Sequence, residues 1–80
     1  MPKIQNTQDF NYRFGQNLAR LRNLNGLTHT DMESYGISRS YYGKVELGIY
    51  SVSIEKIVLI AKAFGVPVHK LFLDENNEPI

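Results

Sequence analysis

The stretch from Thr28 to Gly48, THTDMESYGISRSYYGKVELG, constrains the chain more than any other. Ser38 is a favoured N-cap type, because its hydroxyl accepts a hydrogen bond from an N–H that the first helical turn leaves unpaired. The helix that follows, about Ser38 to Leu47, puts Tyr42 and Val45 on one side. Arg39, Ser40, Tyr41 and Lys44 face outward, and Gly43 leaves room for close approach. Gly48 suits the position just past its end. Upstream, Thr28 caps a shorter polar helix over about His29 to Ser34, with Asp31 in its first turn at the favourable end of the dipole. Tyr35-Gly36-Ile37 supplies a tight turn between the two. Two short helices joined by a Gly-containing turn, the second with basic and small residues outward, form a helix-turn-helix.

The flanks predict helices on either side, so the fold class is all-α. Residues 1–8 are polar, contain Pro2, carry only Lys3 as a side-chain charge, and read as a flexible arm. From about Asp9, Phe10, Phe14, Leu18 and Leu21 recur at helical spacing until Asn25-Gly26 supplies a stop. Arg13 and Arg20 lie off this face and read as solvated. Arg22 sits beside Leu18 and Leu21, where a charge needs a partner. Ser53 caps a fourth helix over Ile54 to about Phe64, with Glu55 early and Lys62 late. Ile54, Ile57, Val58, Ala61 and Phe64 form its core stripe, yet Leu59 and Ile60 are apolar too, which is more than one core needs. This second face reads as a homodimer contact; a single exposed leucine is the ordinary alternative. Gly65 ends the helix, and Pro67 suits the first turn of a fifth carrying Val68, Leu71 and Phe72. LDENNEPI, from Leu73 to Ile80, is expected to fray or form a short extended tail. The expected organisation is an arm over 1–8, one domain over 9–73 and an acidic tail over 74–80.

At 80 residues the chain supports one domain with a small core, so association would add stability. With no cysteine, disulfides and thiolate metal sites are excluded, in keeping with a cytoplasmic location. No apolar run reaches the roughly 18 residues of a membrane span. The net charge of +1 conceals an asymmetry: through Lys70 there are nine basic and five acidic residues, 9 − 5 = +4, and the other three acids lie in the tail. That distribution fits moderate, salt-sensitive attraction to phosphate. No Gly-rich phosphate loop or metal-ligand cluster is present, and His29 and His69 are isolated, so neither an enzyme nor a cofactor or small-molecule ligand is expected.

The segments FGQNLARLRNLNGLT, GISRSYYGKVELG and SIEKIVLIAKAFGVPVHKLF, from Phe14 to Phe72, resemble the phage-repressor and Cro-like (Xre-like) helix-turn-helix family. The resemblance extends to stand-alone members such as restriction–modification controller proteins. It implies a compact five-helix, lambda-repressor-like DNA-binding domain whose second and third helices form the motif. It also implies an ion pair between Arg22 and Glu46 that fixes the angle of the recognition helix, and a core-facing Tyr42. A transcriptional regulator of this kind binds double-stranded DNA as a homodimer, with inverted-repeat half-sites about 34 Å apart. Arg39, Ser40 and Lys44 are the candidate base contacts, since arginine and lysine match guanine and serine bonds a base edge or phosphate. Thr28, His29, Tyr41, Tyr50 and Ser51 are the candidate phosphate contacts. The plain alternative is a solvated polar face.

Several departures from the family qualify this reading. One residue fewer than usual separates Leu27 from Ser38, which implies a shortened second helix or an altered turn. Met32 and Glu33 stand where a small residue normally lets the two helices cross. The loop Ile49-Tyr50-Ser51-Val52 carries no charge where relatives often have basic residues, and Leu59 replaces a common polar residue. A second function class is a protein-interaction or antitoxin-like module on the same fold, which would show little salt-dependent DNA affinity. There is no room for an effector domain, so regulation is expected to follow protein concentration.

Overall fold

The computed structural model describes residues 6–80, which form three α-helices and two 3-10 helices: α1, Thr7–Leu24; η1, Thr30–Tyr35; α2, Arg39–Glu46; α3, Ile54–Phe64; and η2, Val68–Phe72. The all-helical expectation holds, with the second and fifth segments wound as 3-10 rather than α. A 3-10 helix completes a turn in three residues. η1 leads through Gly36 and Ile37 to the Ser38 cap of α2. Gly36 follows η1 at φ +85°, a left-handed conformation that glycine adopts without steric cost.

α1 begins earlier than the sequence reading placed it. The Asn6 side chain accepts from the Asp9 N–H at 2.7 Å, so residues 6–8, assigned to the arm, are the cap and first turn. Residues 1–5, including Lys3, lie outside the described residues. The core is built from Phe14 and Leu18 of α1, Met32, Ile37, Tyr42 and Val45 of the helix-turn-helix, and Ile60, Ala61, Phe64 and Leu71 behind it. Phe10, Phe14 and Phe72 stack at one end, the Phe14 and Phe72 ring centroids 4.9 Å apart. α1 and α2 approach most closely at Gly15. A Cβ there would lie 2.5 Å from the Glu46 carbonyl oxygen and 2.6 Å from that of Val45, so only glycine lets the helices meet.

α3 is rotated relative to the expected stripe. Ile57, Ile60, Ala61 and Phe64 face the core, at the i, i+3, i+4, i+7 spacing of one helical face, whereas Ile54 is 80% exposed and Val58 40%. Ile60 is fully buried, so the assignment of Ile60 to a dimer contact is corrected: it has no surface to offer. Leu59 is half-buried, packs against the core, and lies over Gly36.

Of the two forms expected for the tail, frayed or short and extended, the tail takes a hydrogen-bonded form. Asp74 N–H donates to the Glu78 carbonyl at 2.8 Å, Asp74 Oδ1 accepts from the N–H groups of Asn76 and Glu78, and Leu73 bridges Pro79 in antiparallel fashion. Ile80 N–H donates to the Phe72 carbonyl and its side chain packs on the core. Buried Asn17 closes the arrangement, its Nδ2 donating to the Leu71 and Leu73 carbonyls, both at 2.8 Å. The tail is thus held by a local turn around Asp74 and by the distant side chain of Asn17, neither of which composition reveals.

Candidate nucleic-acid interface

The candidate surface begins with α2. Ser38 accepts from the Tyr41 N–H at 3.2 Å, which starts the helix, and Tyr42 and Val45 fall inward at the expected spacing. The same register leaves Arg39, Ser40 and Lys44 exposed and Tyr41 half-buried. Among the described residues, the Arg39 guanidinium and the Ser40 hydroxyl have no side-chain partner. The Arg39 N–H donates to Glu33 Oε2 at 3.3 Å, so Glu33 offers its charge to the positive end of α2.

The angle of α2 is set from beneath by a charged cluster. Arg22 Nε and Nη2 donate to the two carboxylate oxygens of Glu46 at 2.7 and 3.1 Å, a two-pronged contact between α1 and the last residue of α2. The side chains are only 14% and 8% exposed. Arg22 Nη1 also donates to the Leu27 carbonyl at 2.8 Å, which ties the entry to the helix-turn-helix into the same cluster. Burial by itself disfavours a charged Glu46, but hydrogen bonding, above all by Arg22, wins and holds its carboxyl below the usual glutamate value. The hydrogen bond to Glu46 likewise keeps Arg22 more firmly protonated. Burial pushes the Tyr42 phenol well above its ordinary range. The Tyr42 hydroxyl lies beside this cluster but makes no hydrogen bond of standard geometry.

His29 belongs to this cluster more than to the outer surface. Its Nε2 lies 3.0 Å from Glu46 Oε1, and its ring packs edge-on against Tyr42 at 5.5 Å. Of the side chains expected to hold phosphate, His29 thus has its Nε2 committed to Glu46, with the side chain 38% exposed. Thr28 and Asp31 cap one another, Thr28 N–H donating to Asp31 Oδ2 at 2.8 Å and Asp31 N–H to Thr28 Oγ1 at 3.1 Å. The positive end of η1 thus already holds a carboxylate, and Thr28 keeps only its hydroxyl hydrogen for an outside acceptor.

The last expected contacts sit in the loop after α2. Tyr50 stacks on Tyr41 with centroids 5.7 Å apart, and Lys44 Nζ lies 5.7 Å from the centre of the Tyr50 ring. Ser51 Oγ accepts from Asn11 Nδ2 at 2.9 Å. Arg39, Ser40, Lys44, Tyr41, Tyr50 and Ser51 thus share the α2 side of the molecule, while Leu59 and Ile60 lie on α3 and are not part of that group. Gly15 and Asn11, which seat and brace this surface from α1, are not evident in the sequence. A glycine amid strong helix formers is the one signal that hints at the first. No group of three or more His, Asp or Glu side chains able to hold a metal occurs among the described residues.

A family described as Helix-turn-helix matches residues 18–71. The chain is 36% identical, over 62 residues, to an uncharacterized HTH-type transcriptional regulator of Methanocaldococcus jannaschii, covering 76% of this chain and 94% of that one. Its structure is similar to that of the restriction-modification controller protein C.AhdI from Aeromonas hydrophila, with a TM-score of 0.81 and 33% identity over 85% of this chain and all of the other. A hypothetical transcription factor, NHTF, from Neisseria shares the fold at 22% identity and a TM-score of 0.75, over 95% of this chain and 88% of that one.

Proposed function

Since this chain belongs to the Xre-like helix-turn-helix family of DNA-binding transcription regulators, we propose that it recognises a specific double-stranded sequence as a homodimer on an inverted repeat. α2 enters the major groove. The observation that carries this reading is the exposed set Arg39, Ser40 and Lys44, the first two with side chains unpaired and Lys44 resting only on the Tyr50 ring, on a helix whose opposite face is held by Arg22–Glu46. Fixed geometry beneath and unpaired donors above are what base readout needs, because a donor must arrive at a base edge without first breaking an internal bond. Arg39 and Lys44 address guanine and Ser40 a base edge or phosphate. The hydroxyls of Thr28, Tyr41, Tyr50 and Ser51 grip the backbone.

The candidate homodimer surface keeps Leu59 and takes Ile54 and Val58, one turn apart and exposed on α3, in place of the buried Ile60. With half-sites about one helical turn apart, two copies of α2 enter successive major grooves on one side of the duplex. Occupancy then depends on protein concentration through dimerisation.

The test is selection of bound sequences from a random duplex pool at two salt concentrations. An enriched inverted repeat with affinity falling steeply as salt rises is the expected result. Uniform weak binding to all sequences would remove the regulator reading.

A further inference from the structure

The loop between α2 and α3 is uncharged, yet it is anchored at both ends. Ile49 N–H donates to the Lys44 carbonyl at 3.0 Å, and Asn11 Nδ2 of α1 donates to Ser51 Oγ at 2.9 Å. Beyond these, Val52 packs on the core and Ser53 caps α3 by accepting from the Lys56 N–H. Tyr50 stands between the anchors. Its ring lies against Tyr41 at 5.7 Å and 21° between planes, and the Lys44 ammonium lies 5.7 Å from its centre. A continuous set of contacts therefore runs from α1 through the loop to the outward face of α2.

We propose that Tyr50 is a positioning residue for DNA recognition: its ring, held by the Asn11–Ser51 anchor, fixes Tyr41 in the first turn and Lys44 in the last turn of the recognition helix. This rests on the regulator reading above and deepens it. A lysine side chain is long, and docking on a base edge costs it rotamer freedom. A ring that already holds the ammonium through its negative face reduces that cost before DNA arrives. An aromatic platform thus gives the uncharged loop a part in recognition. It acts through base preference, whereas a hydroxyl on phosphate would act on all sequences alike.

Tyr50→Phe keeps the ring and removes the hydroxyl, while Tyr50→Leu keeps the bulk and removes the ring. In the free protein, NMR of Lys44 is expected to show its ε-methylene protons shifted upfield by the ring in the wild type and the Phe variant, and unshifted in the Leu variant. The base position read by Lys44 is identified as the one at which Lys44→Ala loses preference. Tyr50→Phe is expected to retain that preference. Tyr50→Leu is expected to flatten it and weaken binding about two- to fivefold, the range of an exposed cation–π contact. Asn11→Ala, which frees Ser51 without touching Tyr50, is expected to flatten the same position to a smaller extent.

Equal flattening by Phe and Leu would assign the effect to the hydroxyl and overturn the proposal. So would unchanged preference in Tyr50→Leu, or unshifted Lys44 methylenes in the wild type. If the wild type enriches no sequence while its Lys44 protons remain shifted, the regulator reading fails and the recognition role of Tyr50 fails with it. The ring contact itself would stand, which separates that outcome from a wrong geometry.

Discussion

Removing either half of the Arg22–Glu46 pair tests the claim that this contact fixes α2. The two side chains are only 14% and 8% exposed. A single substitution therefore leaves a largely buried charge without its counter-ion. For a buried pair that loss is about 3–5 kcal/mol. Here the residual exposure of Arg22 and its bond to the Leu27 carbonyl at 2.8 Å place it at the low end, about 3 kcal/mol. For a domain of this size such a loss lowers Tm by roughly 12–24 °C. The assay is a double-mutant cycle in urea, followed by circular dichroism, over wild type, Arg22→Met, Glu46→Leu and the double variant. Each single variant is expected to lose about 3 kcal/mol, and the double variant to recover at least half of the summed loss, since neither charge then remains buried. His29, which also contacts Glu46, loses its partner in two of the four proteins, so repeating the cycle in His29→Ala isolates the pair. Single losses below about 1 kcal/mol, the range of surface pairs, would refute the argument. So would a double variant as unstable as the sum of the singles.

Glu46 has its folded pKa held below the usual value of 4.5, so its contribution is fully present above that pH and is lost as pH falls through the depressed folded value. Acid titration of stability should therefore show a decline beginning near pH 4.5 that is flatter in Glu46→Leu. Gly15→Ala, which in an open helix would stabilise by up to about 1 kcal/mol, should instead destabilise by about 2 kcal/mol or more because its Cβ meets the Val45 and Glu46 carbonyls; a higher Tm would contradict the close approach. Tyr42→Phe removes a buried hydroxyl with no hydrogen bond of standard geometry and should change stability by less than about 1 kcal/mol; a larger loss in chemical denaturation would mean that the hydroxyl is bonded in solution. Arg39→Ala and Lys44→Ala should each weaken operator binding by roughly 1–3 kcal/mol and relax preference at one position; an equal loss on every sequence, read by titration of matched and mismatched duplexes, would make them phosphate contacts.

What is local in this protein was legible in its sequence. Ser38 and Ser53 cap where a short hydroxyl before an apolar run predicts, Gly36 takes the left-handed turn, and Tyr42 and Val45 face inward three residues apart. Each depends on one residue and its near neighbours, so chain order carries the information. The Arg22–Glu46 contact came from family resemblance, because nothing in the spacing of two residues so far apart requires them to meet. His29 illustrates the limit: its type and place at a helix start suggested an outward role, and its contacts with Glu46 and Tyr42 could not be read from its neighbours in the chain.

The tertiary structure decided among alternatives that the sequence left equivalent. Two overlapping stripes on α3 both satisfy helical periodicity, and only packing against η1 and η2 buries Ile60 and exposes Ile54. The polar tail is held by Asn17, which pairs with two carbonyls more than fifty residues away. Gly15 counts against a helix locally and permits the α1–α2 contact globally. The sequence alone determined an all-helical chain with a helix-turn-helix and an outward basic face, because caps, turns and periodicity act over a few residues. Which apolar face is buried, which polar groups pair and where the loop ring rests depend on close packing between distant segments, and that is settled only when the elements come together.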